Sequence, residues 1–235
     1  MAKLNTNSNI YTIVYASVMV IIVAFLLAFV ASALKDKQDA NVAIDKKSQI
    51  LASLNIRNVP TENVEAEYSK IVIADPIYGS TVDMIAEKDG FKVANKDIKA
   101  DNRPLYVCEV EGTTKYVVPV KGAGLWGGIS GYIALNDDCE TVYGTYFTHE
   151  SETAGLGARI TEEWFQTSFN GKKIFANDNQ EEVMLSVVKK GKEGTLSKEN
   201  FVDGVTGATL TCNGVDVMIK DGIKLYIDVI KSLKK

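Results

Sequence analysis

The stretch Asp203-Gly204-Val205-Thr206-Gly207-Ala208-Thr209-Leu210-Thr211 decides how this chain is read. Small residues dominate it, and three hydroxyls, at Thr206, Thr209 and Thr211, crowd around a Gly-Ala pair. Directly after it, Val215, Met218, Ile219, Ile223, Tyr226, Ile227, Ile230 and Leu233 recur at helical spacing. Thr211 or Asn213 can cap that helix, which puts the threonines at or just before a helix N-terminus. Amides without carbonyl partners and the positive end of the helix dipole make such a place favourable for a phosphate. A capped helix after a glycine turn would account for a bare T-G-A-T string. This string also carries an Asp six residues before Thr209.

The composition sets the bounds. The chain has 235 residues and a formal net charge of −4. Only Lys3 is charged before Lys35, so the remainder carries about −5. Without an apolar N-terminal segment, roughly 200 residues are left, the size of one globular domain with at most a small appendage. There is no basic stripe and the pI is low, which argues against nucleic acid. Cys108, Cys139 and Cys212 have no metal-ligand spacing and His149 is the one histidine, so neither zinc nor an iron–sulfur cluster is expected. No disulfide is expected either.

Ile10 to Leu34 is a run of 25 residues without a charge. At about 1.5 Å per residue it is long enough for a hydrocarbon core of roughly 30 Å with some tilt. Tyr11 and Tyr15 suit an interface. A cleaved signal peptide is the rival, since Ala31-Ser32-Ala33 resembles a cleavage site. The apolar run is too long for a signal h-region and the preceding segment is weakly basic, so an uncleaved span is expected. Lysines at 35, 37, 46 and 47 would by count keep the large domain in the cytoplasm.

Asp36 to Asn55 reads as polar and then helical, a stalk or a helix packed on the domain. Leu105–Cys108 and Tyr116–Val120 read as strands joined by a Gly112-Thr113 turn, and Ile129–Leu135 and Thr141–His149 as two more. Between the second and third lies Lys121-Gly122-Ala123-Gly124-Leu125-Trp126-Gly127-Gly128. Its Trp either fills a core edge or offers a flat apolar face to a ring. It is no dinucleotide fingerprint, because a strand follows rather than a helix. Glu162–Phe169 reads as a helix capped by Thr161 and ended near Gly171, with Trp164, Phe165 and Phe169 in the core. Glu182–Val188 reads as a strand, and Lys189–Lys198 as a solvated basic loop.

Three motifs now stand in order: G-x-G-L-W-G at Gly122–Gly127, H-x-x-E-T-x-G-L-G at His149–Gly157, and D-G-x-T-G-A-T at Asp203–Thr209. Together they resemble the FMN-binding domains to which a flavin transferase attaches FMN through its phosphate, at the last threonine of the third motif. With one N-terminal span, essentially the whole chain is similar to the NqrC family, the C subunits of sodium-translocating NADH:quinone oxidoreductases. The RnfG family, the G subunits of the Rnf complex, carries the same domain, and the longer region between membrane and domain here favours the quinone-reductase family. A membrane-anchored binding domain without cofactor is the alternative from another class. One departure is Ala154, where the family usually has Pro; the turn is kept but a fixed φ is lost.

The resemblance implies an α+β fold: a tail (1–9), a transmembrane helix (10–34), a helical stalk (35–57) and an FMN-binding domain (58–235) with a mainly antiparallel sheet and flanking helices. It implies covalent FMN on Thr209, with Thr211 the runner-up hydroxyl. Thr206, Gly207, Ala208, Leu210 and Thr211 would surround the phosphate. Leu125 and Trp126 would border the flavin, and Glu152, Thr153, Gly155 and Leu156 would form the opposite wall. Asp203 would serve the transferase's recognition. No residue need act as acid or base in electron transfer, so His149 is read as structural. The implied partners are the other subunits of the membrane complex, the transferase and the membrane. The implied site of the domain is outside the cytoplasmic membrane, against the lysine count. The chain by itself would bind neither NADH nor quinone.

Overall fold

A computed structural model describes residues 8–176 and 179–234. Residues 1–7, the bulk of the expected tail, lie outside the described part, as does Lys235. By its internal contacts the chain divides into Met1–Asp45 and Lys46–Lys235.

Helix α1 runs without a break over Asn9–Ser53, so the apolar run and the stalk are one helix rather than two elements. Among the described residues it is the one helix long and apolar enough to cross a membrane, and its apolar window is exposed throughout. It stops at Asn55, which takes φ 60°. There the Ile56 amide donates to the Leu51 carbonyl at 3.0 Å and the Asn55 amide to that of Ala52 at 3.0 Å. This paired closure is the one normally built on Gly; Asn tolerates the left-handed conformation well enough to replace it. The last turn, Ile50 to Ser53, is buried.

Beyond it come α2 (Val64–Ile71) and the strands β1 (Val72–Ala74), β2 (Ile77–Tyr78), β3 (Met84–Ala86), β4 (Arg103–Pro104), β5 (Tyr106–Val110), β6 (Thr113–Ala123), β7 (Gly128–Leu135) and β8 (Val142–His149). The short helix α3 (Glu163–Thr167) precedes β9 (Phe175–Ala176), β10 (Asn179–Val183), β11 (Ser186–Val188) and β12 (Phe201–Asp203), and α4 (Thr209–Leu233) follows them. The main sheet has the order β1-β5-β6-β7-β8, antiparallel throughout. The expected α+β architecture with a mainly antiparallel sheet is what the chain adopts. The β5–β6 turn falls at Glu111-Gly112, with φ 51° and 73°, one residue earlier than expected. Two consecutive positive φ values match the right-handed strand twist of a tight hairpin.

The apolar face of α4 lies on β6, and three glycines allow the approach. A Cβ on Gly122 would stand 2.7 Å from the Cβ of Met218, one on Gly222 2.5 Å from Val120 Cγ1, and one on Gly214 would overlap the Ala123 carbonyl. Val215, Met218, Ile219, Ile223, Tyr226 and Ile230 are all buried there, as their spacing predicts. Each such large apolar side chain contributes about 1.5–3 kcal/mol.

Two expectations need correction. The helix at α3 is a five-residue piece with no side-chain cap; the Thr161 hydroxyl instead donates to the Ala158 carbonyl at 2.9 Å. Phe165 and Phe169 are buried, but Trp164 is 46% exposed, its ring under the Arg159 guanidinium at 5.3 Å and its N–H bonded to Glu162. A helix this short presents only one side to the core, and Trp164 falls on the other. The strand expected over Glu182–Val188 is split: Met184 and Leu185 separate β10 from β11. Strand β11 then pairs in parallel with β12, Ser186 opposite Phe201 and Val188 opposite Asp203. This pair carries the threonine stretch to the start of α4.

Candidate cofactor site at the start of the C-terminal helix

Helix α4 begins at Thr209, with Ala208 in the cap position at φ −118°, ψ 37° and no side-chain cap bond. The expected cap by Thr211 or Asn213 is therefore overturned. The cause is tertiary: Thr211 is 1% exposed, and its hydroxyl donates to Oε2 of Glu152 at 2.6 Å. Thr209 and Thr211 thus open the helix instead of preceding it. The amides of Thr209, Leu210 and Thr211 belong to its first turn, which no earlier carbonyl of the helix can serve. With 25 residues behind it, this end carries the positive part of the helix dipole.

The loop before the helix is tied down at each step. The Gly204 amide donates to the Val188 carbonyl at 2.7 Å, extending the β11–β12 ladder by one rung, and the Ala208 amide donates to Val205 at 3.1 Å. The Val205 amide meets the buried sulfur of Cys212 at 3.2 Å. Gly207 takes φ 82°, open to Gly at no steric cost, and a Cβ there would sit 2.9 Å from Leu156 Cδ2.

The Gly-rich stretch is the turn between β6 and β7. The Gly124 amide donates to the Gly127 carbonyl at 2.8 Å, which leaves Leu125 and Trp126 at the tip. Trp126 is 66% exposed, so it does not fill a core edge. The histidine-containing motif leaves β8 and packs against this tip, the Ser151 hydroxyl donating to the Trp126 carbonyl at 2.7 Å.

Glu152 joins all three motifs. It is 6% exposed. Its Oε1 accepts from the Trp126 amide at 2.9 Å and its Oε2 from Thr211. Its own amide donates to Nδ1 of His149 at 3.2 Å, a structural use of that histidine. Burial pushes the Glu152 carboxyl up, but the hydrogen bonds from Thr211 and from the Trp126 and Leu125 amides outweigh this and hold it below the usual carboxylate range. It is an ionised, hydrogen-bonded tie.

A cavity of about 180 Å³ opens between these stretches, lined by Leu125, Glu152, Thr153, Leu156, Gly157, Gly207, Ala208, Thr209, Leu210 and Thr211. All but Gly157 are among the residues that the sequence singles out. Trp126, Gly155, Thr206 and Asp203 do not line it. Trp126 stands beside it with its indole in solvent. Gly155 forms the turn at φ 75°, with open space around it. Thr206 lines a second cavity, and Asp203 is exposed at the end of β12. Gly157 belongs to a motif but not to the expected site. A Cβ there would lie 2.5 Å from both Glu152 Oε2 and Thr211 Oγ1, so only glycine lets those two side chains meet.

The cavity brings together the first turn of α4, the exposed apolar side chains of Leu125, Leu156 and Leu210, and the exposed hydroxyl of Thr209, a lining chemically suited to an anion and an apolar ring. Residues 124–224 match the family model described as FMN-binding domain. The C subunit of a Na(+)-translocating NADH-quinone reductase from Haemophilus ducreyi is 34% identical over 241 residues, which covers 94% of this chain and 91% of that protein. A crystal structure of the equivalent C subunit from Parabacteroides distasonis aligns with a TM-score of 0.75 and 34% identity, over 84% of this chain and 96% of that one. The NqrC crystal structure from Shewanella oneidensis, 21% identical, shares the fold with a TM-score of 0.71 over 83% of this chain and 99% of that one. The chain belongs to the NqrC family, the C subunits of Na(+)-translocating NADH-quinone reductases.

Proposed function

We propose that this chain carries FMN covalently, as a phosphoester on Thr209, and relays electrons inside a membrane-bound, sodium-pumping NADH:quinone oxidoreductase. The observation that carries this reading is the position of Thr209. It is the first residue of a long helix, exposed, on the rim of a cavity walled by Leu125 and Leu156. A phosphodiester keeps its negative charge, and the first-turn amides of Thr209, Leu210 and Thr211 would stabilise it. Gly207 and Ala208 leave room for the chain to be approached. Leu125, Trp126, Leu156 and Leu210 would cover the ring and keep water from part of it. Thr153 and Gly155 would shape the facing loop. Thr211 and Glu152 satisfy each other, so their contribution is to hold the walls at a fixed distance. Asp203, exposed before the loop, has no such structural duty among the described residues and would be read by the flavin transferase.

Bound there, the flavin would supply the redox chemistry, and the protein its position and electrostatics. The remaining subunits would supply the NADH and quinone sites. The helix over Ile10–Leu34 would anchor the chain in the cytoplasmic membrane, with the domain on its outer side. Intact mass of the chain produced with and without a flavin transferase tests the reading. The expected result is an FMN-phosphoryl increment, and flavin fluorescence that survives a denaturing gel, only with the transferase. A chain that gains no mass in its presence would refute it.

A further inference from the structure

The tie at Glu152 also seats a charge. Its carboxylate is buried, and it is the one ionisable side chain among the residues lining the cavity of about 180 Å³. Its partners, the Thr211 hydroxyl and the Trp126 and Leu125 amides, are all donors, as an ionised carboxylate requires. Two glycines make room for it: a Cβ on Gly157 would stand 2.5 Å from Oε2, and one on Gly124 would overlap Oε1. None of these neighbours carries a positive charge. Glu152 takes part in no salt bridge among the described residues. Arg159, two residues beyond Gly157, is committed to Glu162 at 3.1 Å and to the ring of Trp164. His149 is the basic side chain that bears on the carboxylate, and its Nδ1 accepts the Glu152 amide at 3.2 Å, so that nitrogen carries no proton while the bond holds. The charge is thus stabilised by dipoles and left without a counter-charge, where water screens it less than at the surface.

We propose that this charge sets the redox potential of the flavin: Glu152 lowers it by disfavouring the electron-rich form of the ring. The inference rests on a flavin occupying the cavity, whichever of the neighbouring threonines carries it. Full reduction at neutral pH adds two electrons and one proton to the ring. The electrons come from another redox centre of the complex, or from dithionite in a titration, and the proton from water. The oxidised ring is neutral, and the reduced ring is one unit more negative. A fixed negative charge on the cavity wall therefore costs the reduced form and spares the oxidised one, and it acts through the field without needing contact. Across a cavity this small, with the weak screening of a buried site, the effect is about tenfold or more in the ratio of oxidised to reduced ring, or about 30 mV for a two-electron couple. For a subunit that passes electrons onward, a lowered potential makes the reduced ring the better donor.

The test uses the full-length chain in detergent, loaded by the flavin transferase and checked by intact mass, with the midpoint potential read from the flavin spectrum during a dithionite titration against a reference dye. Glu152→Gln keeps the length of the side chain and lets its amide donate to the Thr211 oxygen, so it removes the charge and little else. The potential should rise by about 30 mV or more. Thr211→Val weakens the tie but keeps the charge, and should not raise it. Thr153→Lys, at an exposed position of the same lining, brings a cation to the wall without touching the tie. It should raise the potential by a smaller amount, and it reads the charge even where the Gln variant does not fold. That pattern would support Glu152 as the residue that sets the potential. Equal rises in Glu152→Gln and Thr211→Val would mean that wall geometry matters instead, and would overturn the proposal, as would an unmoved potential in both the Gln and the Lys variants. The two readings fail separately: a chain that takes up no flavin refutes the cofactor site, whereas a loaded chain with an unmoved potential refutes only the role of the charge.

Discussion

The Thr211 hydroxyl donates to Glu152 at 2.6 Å across 59 positions of sequence, out of solvent, and the other oxygen of the same carboxylate holds the Trp126 amide at 2.9 Å. One side chain thereby fixes the opening of α4 against both loops that face it. This tie joins the walls of the cavity.

Thr211→Val removes one bond to a buried charge and should cost about 1.5–3 kcal/mol, while Thr211→Ser should cost little. The pH dependence carries the sharper signal. A carboxyl held below its ordinary value by the fold adds stability above that value, 4.5, and the contribution is lost as the pH falls through the lower folded value. Urea unfolding across this window should show a steep acid limb in the wild type, a shallower one in Thr211→Val, and the shallowest in Glu152→Gln. Parallel limbs in all three would mean that Glu152 is not the ionised tie.

Gly157 and Gly155 lie two residues apart and should respond differently. Gly157→Ala drives a methyl to 2.5 Å from both partners of the tie, and should cost about 1–3 kcal/mol and flatten the acid limb. Gly155→Ala meets open space but must hold φ 75°, at a cost of roughly 1–2 kcal/mol, with the acid limb unchanged. Unfolding measured at neutral and acid pH separates the two. If Gly155→Ala also flattened the limb, the tie would not be the local structure that Gly157 protects.

What is legible in the sequence follows from distance along the chain. The α4 core face is legible because helical spacing is local, and β5 to β8 because alternation and turn glycines are local too. The cavity residues are legible through their motifs. The role of Thr211 is not: a hydroxyl near a helix start reads as a cap, and its partner lies 59 positions earlier. Lys189 and Lys190 are exposed, as a solvated basic loop implies, and only the parallel pairing of Ser186 with Phe201, remote in sequence, carries them beside Thr206. The spacing rule puts Trp164 in the core because it assumes a helix longer than the five residues of α3.

The uncharged run from Ile10 to Leu34 should remain on the purified protein and bring it down with the membrane fraction. Amino-terminal sequencing that began near Leu34 would show cleavage after Ala33 instead. A reporter active only in the cytoplasm, fused after Lys235, should stay silent. Strong activity would mean that the lysines flanking the run direct the domain inward.

Which hydroxyl accepts the flavin is decided by peptide mass mapping of the chain produced with its flavin transferase. Thr209 should carry the FMN-phosphoryl increment. Thr209→Ala should lose it while keeping the wild-type unfolding midpoint, since an exposed first-turn residue behind an uncapped start has little packing to lose. Thr209→Ser keeps the nucleophile and should be modified, and Thr211→Ala should still carry flavin on Thr209. The increment found on Thr206 or Thr211, with Thr209 bare, would contradict Thr209 as the acceptor and the cofactor site built around it.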